Sequence, residues 1–347
     1  MARSRIYLSF ERWPAEDRAR WQAAFREGDR FDESGLGAHL AESTRRNLRI
    51  SYARFLGFMA ANRPHLLELG LEARIDEVIV AAYVAWRVES GGYGMAAGDL
   101  DGLRGVLRLI CPAVDWSWLL TLRKRVAAKA TRTPRKYNLM TSERLYALGI
   151  DLMDRAIAEA EAAKETSKAH AFKYRDGLAI ALTALVPLRS RTLVALRIGK
   201  HLVKTGDLWG LDIPAADTKT RQPLDYPIAP ELGMRIDVYL KRVRPAIPGA
   251  DTHTALWASN KRRPMAAIGL YKAVHKRTKA SFGFGVSLHR FRHAAASFWS
   301  IWDPVNVRGA KDLLGQASFG ITEKHYIMGQ SRLAGRALAK AVDAARL

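Results

Sequence analysis

The chain has 347 residues, 48% of them hydrophobic, with 56 Lys and Arg against 34 Asp and Glu for a formal net charge of +22. That length and apolar content call for two folded domains with sizeable cores and exclude a disordered basic tail. The charge points to a polyanionic partner, nucleic acid ahead of an anionic membrane, since no lysine block adjoins a long apolar segment.

The opening residues MARSRIYLSFERWPAEDR contain no apolar stretch of the signal-peptide kind. Nowhere do about 18 uncharged apolar residues run together, so a cytoplasmic, nucleoid-associated protein without a membrane span is expected. Residues 1–35 read as an N-terminal extension with one short helix. Helical spacing is clear in Ser43–Asn62, where Leu48, Tyr52, Phe55, Leu56 and Met59 make the apolar face and Arg45, Arg46, Arg49 and Arg54 the charged one. Ile75–Glu89 is a second helix, Gly91–Gly92 and Gly94 a break, and Leu100–Ile110 and Trp116–Ala128 a third and fourth. The single cysteine, Cys111, leaves no internal disulfide and no cysteine-built zinc cluster, and its apolar neighbours make it a core thiol. Residues 36–131 thus form a basic all-helical unit. Lys124, Arg125, Lys129, Arg132, Arg135 and Lys136 follow one another into a basic linker at 132–137, which reads equally as a solvated helix end.

The second unit, 138–347, begins with long helical patterns over Ser142–Ala163 and Tyr174–Leu185, the latter apolar all round and so buried. Pro187 ends it, and Arg189 opens a fresh helix with Leu193, Val194 and Leu196 inward. Leu208–Ile213 alternates as a half-buried strand, Thr218–Pro223 turns, and Leu224–Ile228 returns, which places Lys219 at a hairpin tip. Helices over Glu231–Val243 and Met265–Ala280 flank the basic loop Lys261-Arg262-Arg263. Val286–Ser300 is a helix with His289 and Arg292 one turn apart on one face, and Ser331–Leu347 an amphipathic tail suited to assembly. The fold expected is mainly α with a small antiparallel β-sheet.

An imidazole and a guanidinium held together suit an anionic group, phosphate first. Alone, H-x-x-R more often marks a basic helix with an incidental histidine. Its weight comes from the order Arg189, Lys219, His289, Arg292, Tyr326. The string PLRSRTLVALR around Arg189, the box HRFRH, and LLGQASFG followed by Tyr326 resemble the first-arginine motif, the H-x-x-R-H box and the Leu-Gly-His…Tyr segment of the tyrosine recombinase (phage integrase) family. The resemblance covers roughly 138–347 by motif and extends to 36–131 as a helical core-binding domain. Three departures stand out. Thr192 replaces the acidic residue usual three positions after the arginine, Gln316 stands where His is usual, and the spacing to Tyr326 is one residue longer.

The resemblance implies an α+β catalytic domain that cuts and rejoins duplex DNA through a 3′-phosphotyrosyl intermediate, with no cofactor and no metal. Tyr326 would be the nucleophile, with an unperturbed phenol pKa of about 10. Arg189 and Arg292 would clamp the non-bridging oxygens, His289 would assist proton transfer, Lys219 would protonate the leaving 5′ oxygen, and Gln316 would donate a hydrogen bond to phosphate. Arg45, Arg46, Arg49 and the basic run from Lys124 to Lys136 would grip the duplex. The partners implied are specific recombination sites on DNA and further copies of the chain, a tetramer on paired sites, with room for an accessory DNA-bending or directionality protein. The role expected is integration or excision of a mobile element. Two alternatives stay open: a type IB topoisomerase-like nicking-closing enzyme, and a DNA-binding relative impaired in catalysis at Thr192 and Gln316. His293 reads as structural, and Tyr174, Tyr226, Tyr239 and Tyr271 as packing residues.

Overall fold

Residues 7–130, 140–218 and 221–302 are described by a computed structural model, in which the chain divides into two units, Met1–Lys136 and Tyr137–Leu347. The first is built on α1 (Ala15–Ala24), α2 (Glu42–Asn62), α3 (Glu77–Gly91), α4 (Tyr93–Ile110) and α5 (Ser117–Ala128). Tyr52, Phe55, Leu56, Phe58 and Met59 fall on one face of α2 and are buried against Ile79, Val80 and Tyr83 of α3 and Leu100, Leu103 and Leu107 of α4. Phe55 meets Tyr83 edge to face at 5.2 Å. The side chain of Asp76 caps α3 by accepting from Ile79 N (2.7 Å). Cys111 is buried as expected. Its thiol donates to Glu72 Oε1 (3.2 Å), and burial pushes it above the ordinary thiol range.

Residues 8–24, read as part of an extension, join this core. Leu8 N donates to Ala53 O (2.9 Å), and Trp13 packs edge-on against Tyr52 and Trp21, at 5.0 and 5.6 Å between ring centroids. Beneath them Asp17, 0% exposed, accepts two bonds from Arg74, 1% exposed, at 2.6 and 2.8 Å, and one from Tyr52 Oη at 2.7 Å. A charge so deep is tolerable only when paired and hydrogen-bonded, as both Asp17 oxygens are here. Burial and the Asp17 carboxylate hold the Tyr52 phenol far above its ordinary pKa, so it remains a donor. A second hub, Asp99 of α4, takes Arg54 of α2 and Arg87 of α3. Arg54, expected on the exposed charged face, is therefore turned inward.

In the second unit α6 (Ser142–Ala162) and α7 (Lys168–Leu185) cross through bare backbone. A Cβ on Gly149 would lie 2.6 Å from Ala181 N and 2.7 Å from Gly177 O, and one on Gly177 would lie 2.7 Å from Gly149 O. Inside α7, Asp176 pairs with its neighbour Arg175 (2.7 Å) and with Arg277 (3.0 Å) of α10 (Ala267–Phe282), while Arg175 also donates to Ala258 O (2.7 Å). The chain leaves α7 at Pro187, makes α8 (Ser190–Ala195), and enters a three-stranded antiparallel sheet of β1 (Leu202–Thr205), β2 (Leu208–Ile213) and β3 (Leu224–Pro227), in that spatial order. Leu211 faces Leu202 on one side and Tyr226 on the other. The sheet has one strand more than its sequence suggests, β1. α9 (Pro230–Val238) runs on into a π-type turn at Tyr239–Val243, and α11 (Leu288–Trp302) closes the described chain. Among the described residues no helix is long and apolar enough to cross a membrane.

Candidate active site

Three pieces of chain meet at the end of α7. Val186, Pro187 and Leu188 are buried, so the backbone there is fixed, and Arg189 follows at the extended position before α8 (φ −62°, ψ 142°). α8 is itself anchored, because Trp257 Nε1 donates to Leu193 O at 2.8 Å. From α11, whose inner face buries Leu288, Phe291 and Ala294–Ala296, Arg292 reaches across and donates to Pro187 O at 2.5 Å. The two arginines, 103 positions apart in sequence, are thus brought into one site.

Electrostatics record that proximity. Burial, and then the positive charge of Arg189, lower the Arg292 guanidinium to about 10, with the Tyr226 phenol pulling the other way. At neutral pH Arg292 is still charged, but its charge is under stress that an anion would relieve. Two half-buried guanidiniums in one site suit an anion such as phosphate. His289 lies one turn before Arg292 and is exposed, its ring edge-on to His293 at 4.6 Å. Tyr226, read from sequence as packing, does pack half-buried against the core from β3, and it is also within electrostatic reach of Arg292. The signal that could have found it is the alternation of Leu224 and Tyr226 with exposed Asp225 and Pro227.

Lys219, expected at a hairpin tip, lies outside the described residues, but the residues on either side of it are pinned. Buried Thr218 accepts from Gln222 N (3.1 Å) and directs its hydroxyl hydrogen to Gln222 O (2.9 Å). Just before it, Asp217 pairs with Lys200 (2.7 Å) and with buried His201 (3.0 Å). Arg197 N donates to His201 Nδ1, which leaves Nε2 to donate to Asp217. Arg221 sits at φ +53°, in the left-handed region. Neither Asp217 nor His201 was a candidate in the sequence, since nothing local marks them as partners. Gln316, Tyr326 and the tail 331–347 lie outside the described residues, as do Arg132, Arg135 and Lys136. Thr192 is buried.

Of the basic residues expected on DNA, Arg46 and Arg49 of α2 and Lys124, Arg125 and Lys129 at the end of α5 are exposed. Arg45 is committed elsewhere: it donates to Leu40 O at 2.9 Å and to Ala38 O, and lies 5.3 Å over the Phe25 ring. Its work is to close the turn before α2. Among the described residues no three His, Cys, Asp or Glu side chains gather as metal ligands would.

No family model and no curated protein matches the sequence. Solved structures do. The chain is similar to the XerH site-specific recombinase bound to palindromic difH substrate in a post-cleavage complex, at 17% identity and TM-score 0.59, over 84% of this chain and 78% of that one. It is similar to XerH in a pre-cleavage complex, at 17% identity and TM-score 0.56, over 85% and 78%. Against a lambda integrase dimer bound to a COC′ core site the values are 17%, TM-score 0.50, and 84% and 73%. A helical unit, an α+β unit with a small antiparallel sheet, and this likeness together give the chain the tyrosine recombinase fold.

Proposed function

We propose that the protein is a site-specific DNA recombinase that cleaves and rejoins duplex DNA through a tyrosine–phosphate bond. The observation that carries the reading is Arg292 donating to the Pro187 carbonyl within electrostatic reach of Arg189, with His289 one turn away. The net charge of +22 and the likeness to DNA-bound recombinases support it. In the step proposed, the Tyr326 oxygen attacks the scissile phosphorus, giving its proton up with help from His289. The bond from phosphorus to the 5′ oxygen breaks, and Lys219 gives the departing oxygen its proton. Arg189, Arg292 and Gln316 hold the non-bridging oxygens as negative charge grows on them. One P–O bond is exchanged for another, so religation needs no nucleotide. The units 36–131 and 138–347 would grip one duplex through Arg46, Arg49 and the run ending at Lys136. Further copies would assemble on paired sites, as a tetramer, for integration or excision of a mobile element.

A nicked duplex that traps the intermediate tests the reading. Wild type should form a covalent protein–DNA adduct, and Tyr326→Phe should bind the same DNA and form none. Binding without any adduct in wild type would leave the catalytically impaired relative, the reading that Thr192 and Gln316 motivate. Relaxation of supercoiled DNA by a single protomer would favour the topoisomerase-like enzyme.

A further inference from the structure

The segment between α1 and α2 is closed upon itself. Asp29 Oδ1 accepts from Phe31 N (2.8 Å) and Asp32 N (3.0 Å), and Ser34 Oγ accepts from Gly28 N (3.1 Å). Its base is seated on α1, because Gly35 N donates to Arg26 O (3.0 Å) and Gly37 N to Ala24 O (2.7 Å). A Cβ on Gly35 would come within 2.2 Å of Ala23 O, so the loop can lie this close to α1 only with glycine there. These bonds also hold the Asp29 carboxylate below its ordinary pKa.

A loop ordered to this degree nonetheless turns Phe31 outward, 95% exposed, and leaves Leu36 54% exposed. Residues 26–34 carry four carboxylates, on Glu27, Asp29, Asp32 and Glu33, against the guanidiniums of Arg30 and of Arg26, which pairs with Asp32 at 3.3 Å, so the loop keeps a net negative charge. In a chain of +22 this is a patch of opposite sign. Its charge disfavours a DNA backbone and favours a basic protein surface. An aromatic on a pre-ordered loop has little freedom left to lose when buried, which is the economy of an interface anchor.

We propose that the Phe31 loop is a docking knob for a second copy of this chain. The inference rests on the reading that copies assemble on paired DNA sites, and it names the surface through which they touch. Charge complementarity selects the occupant: the acidic loop of one copy offsets the repulsion between two chains of +22.

The test uses the full chain on DNA with one half-site and with two adjoining half-sites. Phe31→Ser, at a side chain outside the core, should leave one-site affinity within about twofold and lower cooperativity for the second protomer by about tenfold or more. Glu27→Lys with Glu33→Lys should lower cooperativity too, without strengthening one-site binding. If the loop lies against DNA instead, that reversal tightens one-site binding and the proposal falls. A photo-crosslinking benzophenone side chain at position 31 should give, on two-site DNA, a product of twice the chain mass. Crosslinking only to an added, purified DNA-bending protein would overturn the second copy as occupant. Cooperativity unchanged in Phe31→Ser removes the loop alone. Wild type that fills the two half-sites independently removes the assembly reading and this inference with it.

Discussion

Asp17→Asn isolates the deepest ionic contact in the first unit. The substitution keeps the volume and removes the charge, leaving the Arg74 guanidinium, 1% exposed, without its anion. Of the two N–H groups that Asp17 accepts at 2.6 and 2.8 Å, one would then face an amide NH2 instead. Breaking a buried pair from one side costs about 3–5 kcal/mol, against about 0–1 kcal/mol for a surface pair. For a unit of this size each kcal/mol moves the midpoint by about 3–5 °C, so its melting should fall by about 10–20 °C. Calorimetry on the full chain reads this as a lowered transition of the first unit beside an unchanged one for the second. Asp17→Leu combined with Arg74→Met should recover much of the loss, because a buried pair replaced by packed apolar groups is often neutral. A loss below about 1 kcal/mol for Asp17→Asn, or a double variant no better than the single one, would refute the assignment of α1 to the core through this contact.

Three further outcomes are expected. Gly149→Ala should destabilise the second unit by about 1–3 kcal/mol through overpacking against the backbone of α7, read by chemical denaturation. Lys219→Ala should slow cleavage by about a hundredfold or more, and sulfur at the bridging 5′ position should restore it while leaving Arg292→Ala defective; rescue of both alike would remove the lysine as general acid. Burial and the Arg244 charge hold the His253 imidazole below its ordinary pKa, so the unfolded chain takes up the proton more readily. That contribution to stability is present above pH about 6.5 and fades as pH falls through that value, so the second unit should melt lower at pH 5.5 than at 7.5. His253→Asn should shrink the difference; an undiminished difference would place the titration elsewhere.

What the sequence disclosed follows from the kinds of signal it carries. Helices α2, α5, α6 and α11 were readable because three- and four-residue spacing is a local property. β1 was missed since four residues with only Leu202 buried show no alternation. α4 begins at Tyr93, seven residues before its expected start, since Gly91–Gly92 and Gly94 read as a break. Chain order and motif strings singled out Arg189 and Arg292, and folding brings them together. Arg45 and Arg54 misled because a charged face and an inward-turned arginine have the same letters. Asp17, Asp217 and His201 act through partners distant in sequence or through tertiary packing, and no local pattern carries that.

The crossing of α6 and α7 has a consequence for how this protein can diverge. Side chains that touch can yield by changing rotamer, but a glycine fitted against a peptide plane has nothing to rotate. Pro187, and with it the carbonyl that receives Arg292, stands at the far end of the helix so fixed. The arginine pair therefore inherits its coordinates in part from positions 149 and 177. Lineages of this chain can rewrite their basic outer faces, while those two glycines serve as the surveyor's benchmark from which the arginine pair is measured.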